Sequence, residues 1–252
     1  MSGSRTKSSL KGVQPGSPSV KGSRQNLTSN ADEVNDFLQT VEAMPPSATS
    51  EGRGKLIFSL DATASRQRTW DRAMTLQTDM FVKTRGIGEL DVQLVYYRGH
   101  GECRSSKWLN NADKVVQMMR KVTCQAGTTQ IARVLKHGIA EAKLSSVQAL
   151  VFIGDCVEED VDRLGNLAGQ CRLLGLPVFI FQEGHNTDAS YAFSQLAQLS
   201  GGAHCRFDDS SSAQLGELLN AVAAYAAGGK QALQRLEKSG SRQAAALLQQ
   251  LS

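Results

Sequence analysis

The sequence predicts an α/β fold: a doubly wound, mostly parallel sheet with one short antiparallel edge strand and helices on both faces. Three observations carry that expectation. Short apolar runs alternate with segments of helical periodicity from residue 55 to residue 226, the rhythm of repeated βα units. The run Lys55-Leu56-Ile57-Phe58-Ser59-Leu60 reads as a parallel strand whose two faces are both covered. One pair of runs, 91–97 and 103–109, is joined by a turn containing Gly99 and Gly101 instead of a helix, which implies antiparallel pairing.

The elements follow in order. Residues 1–29 form a basic arm with Pro15 and Pro18, and with Arg5, Lys7, Lys11, Lys21 and Arg24 unaccompanied by any acid up to residue 25. Too little of it is apolar to offset ordering entropy, so it reads as disordered. Contact of this arm with nucleic acid or anionic lipid is disfavoured by the lack of aromatic residues among its charges. Residues 30–46 are an amphipathic helix with Val34, Phe37, Leu38 and Val41 on one stripe, stopped by Pro45-Pro46,. A linker leads to the first strand, which ends in Asp61-Ala62-Thr63-Ala64-Ser65. A helix over 70–84 follows, then the two antiparallel strands, a helix over 112–122, a break at Gln125-Ala126-Gly127-Thr128-Thr129 and a helix over 131–143. The most apolar strand, 147–153, ends in Gly154-Asp155, and helices over 161–174, 191–199 and 212–226 alternate with strands at 177–181 and 203–207. Residues 227–252 add two short helical pieces, expected to pack on the domain and otherwise to serve as a partner-binding tail.

Composition narrows the class. At 252 residues the chain suffices for one substantial domain with appendages,. Hydrophobic content of 40% and charged content of 21% are those of an ordinary globular protein,. Five scattered cysteines without a CxxC fit free thiols in a reducing compartment better than a disulfide framework,. No apolar leader and no run near the length of a membrane span is visible, so a cytoplasmic location is expected,. A net charge of +4 is mild for this length.

Chemistry is expected at the carboxyl ends of the strands, where open α/β sheets place their ligands. Three strand-end loops carry oxygen-bearing side chains: Asp61, Thr63 and Ser65; Thr128 and Thr129; and Asp155. Such oxygens, converging, suit a hard cation. Strand-end Asp, Ser and Thr also serve as ordinary helix caps, the simpler reading of Ser65 and Thr129.

These three elements, in this order, resemble the metal-ion-dependent adhesion site of von Willebrand factor A domains, written DxSxS, a distant Thr and a distant Asp. The resemblance covers residues 55–226 and points to a cytoplasmic member of the bacterial type. Asp61-Ala62-Thr63-Ala64-Ser65 stands for DxSxS, with Thr63 keeping the hydroxyl. Gly127-Thr128-Thr129-Gln130-Ile131 supplies the threonine, with Thr129 fitting best and Thr128 as the alternate; Val151-Phe152-Ile153-Gly154-Asp155 supplies the aspartate. The chain departs from the family at Ala64 and Cys156, where Gly is usual. The resemblance implies Mg²⁺ or Mn²⁺ held by the Thr63 and Ser65 hydroxyls, with Thr129 binding directly or through water, and with Asp61 and Asp155 acting mainly through waters. It further implies a protein partner whose Asp or Glu carboxylate completes the shell, with no reaction turned over.

The rival is enzymatic. Asp61 and the acids 155–160 also resemble the haloacid dehalogenase superfamily, which implies a Mg²⁺-dependent phosphohydrolase with Asp61 as nucleophile. Thr63 then stands where the usual general acid would be, and neither Ser65 nor the Gly127-Thr128-Thr129 loop is explained. His100 with Cys103, and His204 with Cys205, lack zinc spacing,. Arg98, His100, Arg104, His185 and Asp188 are placed on loops at the rim of the site.

Overall fold

The computed structural model describes residues 53–68, 70, 71, 74, 75, 90–207, 217, 220–223, 225 and 226. The basic arm, the helix expected over 30–46 and the extension 227–252 lie outside the described residues.

Six strands form one sheet: β1 (Gly54–Asp61), β2 (Leu90–Arg98), β3 (Glu102–Ser105), β4 (Ala149–Gly154), β5 (Val178–Glu183) and β6 (His204–Phe207). Their order across the sheet is β3-β2-β1-β4-β5-β6, and every pairing is parallel except β2 with β3. The expected doubly wound sheet with one antiparallel edge strand is the observed one. The edge strand is shorter than the predicted 103–109. Ser106 interrupts the ladder: its Oγ accepts the Leu94 N–H at 3.0 Å and donates to the Lys107 carbonyl at 2.6 Å. Pairing then resumes as a lone bridge between Val92 and Leu109.

Four helices are bounded in full: α1 (Ala112–Met119), α2 (Ile131–Leu144), α3 (Val161–Leu173) and α4 (Thr187–Ser200). Trp70, Asp71, Met74 and Thr75 are helical within the expected 70–84 helix, as are Glu217, Asn220–Ala223, Tyr225 and Ala226 within the expected last helix. Helix α1 ends three residues early because the Lys121 and Val122 amides bond back only three residues, to Met118 and Met119, a tightened terminal turn. Helix α4 starts four residues before its expected 191, since the Asn186 side chain accepts the Ala189 N–H and supplies an N-cap,. Asp188 therefore lies in the first turn of α4, not on a loop.

The period-two alternation of the strands divides the core. Leu56, Phe58 and Leu60 face Trp70, Met74, α1 and Val222 and Tyr225. Ile57, with Leu150, Phe152, Val178 and Ile180, faces α2, α3 and α4. Both faces are covered, so the central strands are apolar at nearly every position. The carboxyl ends of β1, β2, β4 and β5 share one edge of the sheet, and the loops that leave it build the site.

Candidate functional site

Asp61 is the last residue of β1 and has no solvent exposure. Both carboxylate oxygens are engaged: Oδ1 accepts the Thr63 N–H at 2.8 Å and Oδ2 accepts the Tyr97 hydroxyl at 2.7 Å. Burial pushes the Asp61 carboxyl above the ordinary range, while the Thr63 and Tyr97 hydrogen bonds and the Arg66 charge pull it back,. The Tyr97 phenol is driven well above its usual value by burial first and by Asp61 second, so it remains a donor.

Beyond Asp61 the chain is gripped from two sides. The Ala62 amide donates to the Tyr97 carbonyl at 2.9 Å, and the Ala62 carbonyl accepts from Gln125 N–H at 3.0 Å. Thr63 and Ser65 then bring their hydroxyls together, Oγ1 to Oγ 3.0 Å, with Thr63 buried and Ser65 exposed on a single 3₁₀ turn, Ala64–Arg66. Thr63 stands at the N-cap of that turn but makes no side-chain cap bond.

Arg66, the next residue, points inward. Its Nε and Nη2 both lie 2.7 Å from Glu183 Oε2, and its Nη1 donates to the Asp61 carbonyl at 2.7 Å. The guanidinium also lies over the Trp70 ring, 5.4 Å from its centroid,. Glu183 ends β5 as Asp61 ends β1, so this pair ties the first loop to the far side of the site.

The second loop is placed by two glycines. A Cβ on Gly127 would lie 2.0 Å from the Gly99 carbonyl oxygen. Gly99 itself adopts φ +60°, in the left-handed region,. Gln130 fastens the contact by donating to the Arg98 and Gly99 carbonyls, each at 3.1 Å. This leaves Thr129 buried and Thr128 exposed. Thr129 and Glu158 bond reciprocally: the Thr129 amide donates to the Glu158 carboxylate at 2.9 Å, and the Glu158 amide donates to Thr129 Oγ1 at 3.0 Å. Glu159 accepts the amides of Ile131 and Ala132, the first residues of α2.

The third loop leaves β4 beside Asp61. A Cβ on Gly154 would stand 3.5 Å from Asp61 Cβ and 2.8 Å from the Phe152 ring. Asp155 follows, and its Oδ1 is buried with no hydrogen-bond partner among the described residues. The charges of Asp61, Asp155, Glu183 and Arg66 all act on the Cys124 thiol, which burial before any of them pushes up to about 11. Burial, then the charges of Asp155 and Asp61, lift Cys156 to about 12, so neither thiol is an activated nucleophile. None of the five cysteines is in a disulfide.

The structure thus brings Asp61, Thr63 and Ser65 onto one turn, with Asp155 on the adjoining strand end and Thr129 on the loop pinned to it. The rim residues are less uniform. Arg98 pairs with Glu102 at 3.0 Å and donates to Thr123; Arg104 reaches the same Glu102 at 2.8 Å. Hydrogen bonds from Arg98 and then Arg104 hold the Glu102 carboxyl below its ordinary range. His100, Arg104, His185 and Asp188 are exposed. Tyr97, Arg66 and Glu183 complete the site without having been singled out in the sequence, whereas Glu158 and Glu159 figured there only in the acidic cluster of the enzymatic rival. Among the described residues no three His, Cys, Asp or Glu side chains converge as a metal-ligating group; the grouped oxygens here are largely those of hydroxyls.

No family model matches the sequence, and no curated protein matches it. Solved structures do. An aerotolerance-related membrane protein from Bacteroides fragilis, in a form with multiple mutations to serines, is 14% identical with a TM-score of 0.53, over 66% of this chain and 98% of that one. The SpRpn10 VWA domain is 12% identical with a TM-score of 0.54, over 67% of this chain and 95% of that one. The manganese-loaded TRAP protein from Plasmodium vivax is 12% identical with a TM-score of 0.52, over 70% and 74%. At these identities the likeness is one of fold. Among the described residues no helix is long and apolar enough to cross a membrane.

Proposed function

We propose that this chain, whose fold is that of von Willebrand factor A domains, is a protein-binding module that engages a partner's Asp or Glu carboxylate through a divalent cation. The observation that carries this reading is the 3.0 Å approach of the Thr63 and Ser65 hydroxyls just past the end of β1, with Asp155 Oδ1, just past the end of the neighbouring β4, buried and without a hydrogen-bond partner among the described residues. Octahedral ligation at 2.0–2.1 Å puts neighbouring oxygens about 2.8–3.0 Å apart, so the two hydroxyls already span one edge of such a shell. Charge supports the same ion. At the ends of β1, β4 and β5 three carboxylates, Asp61, Asp155 and Glu183, and one guanidinium, Arg66, all lie close enough for their charges to act on the Cys124 thiol, and a divalent cation would balance the surplus of negative charge.

Thr63, Ser65 and Thr129 would hold Mg²⁺ or Mn²⁺ through neutral oxygens, with Asp61 and Asp155 orienting its waters; a cation so bound supplies an electrophilic centre for an incoming carboxylate oxygen. Arg98 and Arg104 share Glu102 between them, and the positive charge left over at the rim favours an acidic partner. Asp61 is poorly set up as a phosphoryl-accepting nucleophile, being wholly buried with both oxygens bonded. Binding without turnover is therefore preferred to phosphohydrolysis. The free thiols support a reducing, cytoplasmic setting,.

Water-proton relaxation with Mn²⁺ as probe tests the reading, because ion-bound water exchanging with bulk raises the relaxivity. The expected result is an enhancement on Mn²⁺ binding that falls when acetate is added, as carboxylate displaces ion-bound water. No enhancement, or an enhancement indifferent to acetate, would contradict it.

A further inference from the structure

Tyr97 is where the site departs from a simple set of cation ligands. We propose that Tyr97 is a positioning residue: its hydroxyl holds Asp61 out of direct ligation and thereby keeps the cation receptive to a partner's carboxylate. The assignment rests on the metal reading above and deepens it.

Four observations converge on it. The Tyr97 hydroxyl donates to Asp61 Oδ2 at 2.7 Å, while the Thr63 amide takes Oδ1 at 2.8 Å, so each oxygen of the buried carboxylate already has a donor. Tyr97 is paired with Asp61 in the β1–β2 register, and its carbonyl accepts the Ala62 amide. The phenol ring is wholly buried and stacks on Phe152 at 6.2 Å and 14° between planes, so it has no room to swing aside. Asp155 provides the contrast, with a buried Oδ1 that has no hydrogen-bond partner among the described residues. The two aspartates, at the ends of neighbouring strands, thus stand in different states.

The physical consequence is a division of labour. A hydrogen bond into a carboxylate draws off charge and makes that oxygen a poorer ligand, and groups behind a metal site tune it in this way. With Asp61 held back, Thr63 and Ser65 offer neutral oxygens. Less of the ion's charge is then cancelled by the protein, and more is left for an acidic partner. Replacing Tyr97 by Phe keeps the ring and deletes one O–H. Asp61 Oδ2 is then buried without a donor, a condition that a cation relieves.

The experiment compares the full chain with Tyr97→Phe, using Mn²⁺ alone as the probe, and reads both affinity by electron paramagnetic resonance and water-proton relaxivity per bound ion. The expected result is roughly tenfold tighter Mn²⁺ binding, together with lower relaxivity because Asp61 displaces a water. Uniform incorporation of 3-fluorotyrosine, which strengthens the phenol as a donor without changing the fold's side-chain set, moves affinity the other way. A purely structural role for Tyr97 gives weaker or equal binding with the relaxivity per bound ion unchanged, and that result overturns the assignment. Absence of Mn²⁺ binding by the parent chain overturns the metal reading and this assignment together, whereas binding with unaltered hydration overturns this assignment alone.

Discussion

Arg66 shows how much of the site's stability hangs on one side chain. It is almost fully buried, lies against Glu183 through two nitrogens and also serves the Asp61 carbonyl. Removing one partner of a buried ion pair costs about 3–5 kcal/mol, because the other is left uncompensated, while replacing both with apolar groups of similar volume is often near neutral. Arg66→Met is therefore expected to lower the urea midpoint sharply, and Arg66→Met with Glu183→Met to recover much of the loss. Equal midpoints for the single variant and the parent would show that the pair contributes little. A second residue sets a pH response away from the site. His137, on α2, has Nε2 2.7 Å from Gln93 Oε1, and burial lowers its pKa below the ordinary 6.5 despite the opposing charge of Glu141. The unfolded chain then takes up the proton more readily, so stability falls as pH drops below about 6.5. Denaturation midpoints in His137→Gln should lose that slope. Asp61, Thr63, Ser65 and Asp155 could be proposed from the sequence because each ends an apolar strand or follows one within a few residues. Tyr97, Arg66 and Glu183 could not: Tyr97 and Glu183 lie 36 and 117 residues from the partners they serve, and no local spacing records such contacts.

At the scale of elements, the placement of Thr129 depends on a backbone crossing. Gly127 packs against Gly99 so closely that any side chain at 127 must push the two loops apart. Gly127→Ala is expected to cost about 1–3 kcal/mol by overpacking and to weaken Mn²⁺ binding, because the loop that carries Thr129 shifts with it. Unchanged thermal midpoint and unchanged affinity would refute this. The same loop is held from the other side by Glu158 on Thr129 and by Glu159 on the first amides of α2, where carboxylates also complement the helix dipole. Helix α2 has no side-chain cap of its own, since Gln130 makes no cap bond. That is why its start could be found from periodicity while its actual cap, supplied from a loop 27 residues later in sequence, could not. The Asn186 cap of α4 is local, by contrast, and the apolar pattern alone missed it because the first turn, Thr187–Ser190, is mostly polar.

For the whole molecule, the topology does the assembling. The chain leaves the same edge of the sheet after β1, β2, β4 and β5, and the reversal of strand order lies between β1 and β4, the switch point at which open sheets gather ligands. The sequence made this architecture readable because buried parallel strands are apolar and short, and the helices between them are periodic. The chemistry of the edge was only half readable, since it combines local motif residues with long-range pairs. A cation bound there and not in the unfolded chain adds stability by mass action, about 2.7 kcal/mol at a hundredfold excess over its Kd. Mn²⁺ is thus expected to raise the thermal midpoint and EDTA to reverse the rise. The most direct test of the account is calorimetric titration of Mn²⁺ into the full chain and into Ser65→Ala, an exposed position whose loss spares the core. One ion bound per parent chain and at least roughly tenfold weaker binding by the variant is the outcome the account requires; no binding by the parent, or equal binding by both, contradicts it.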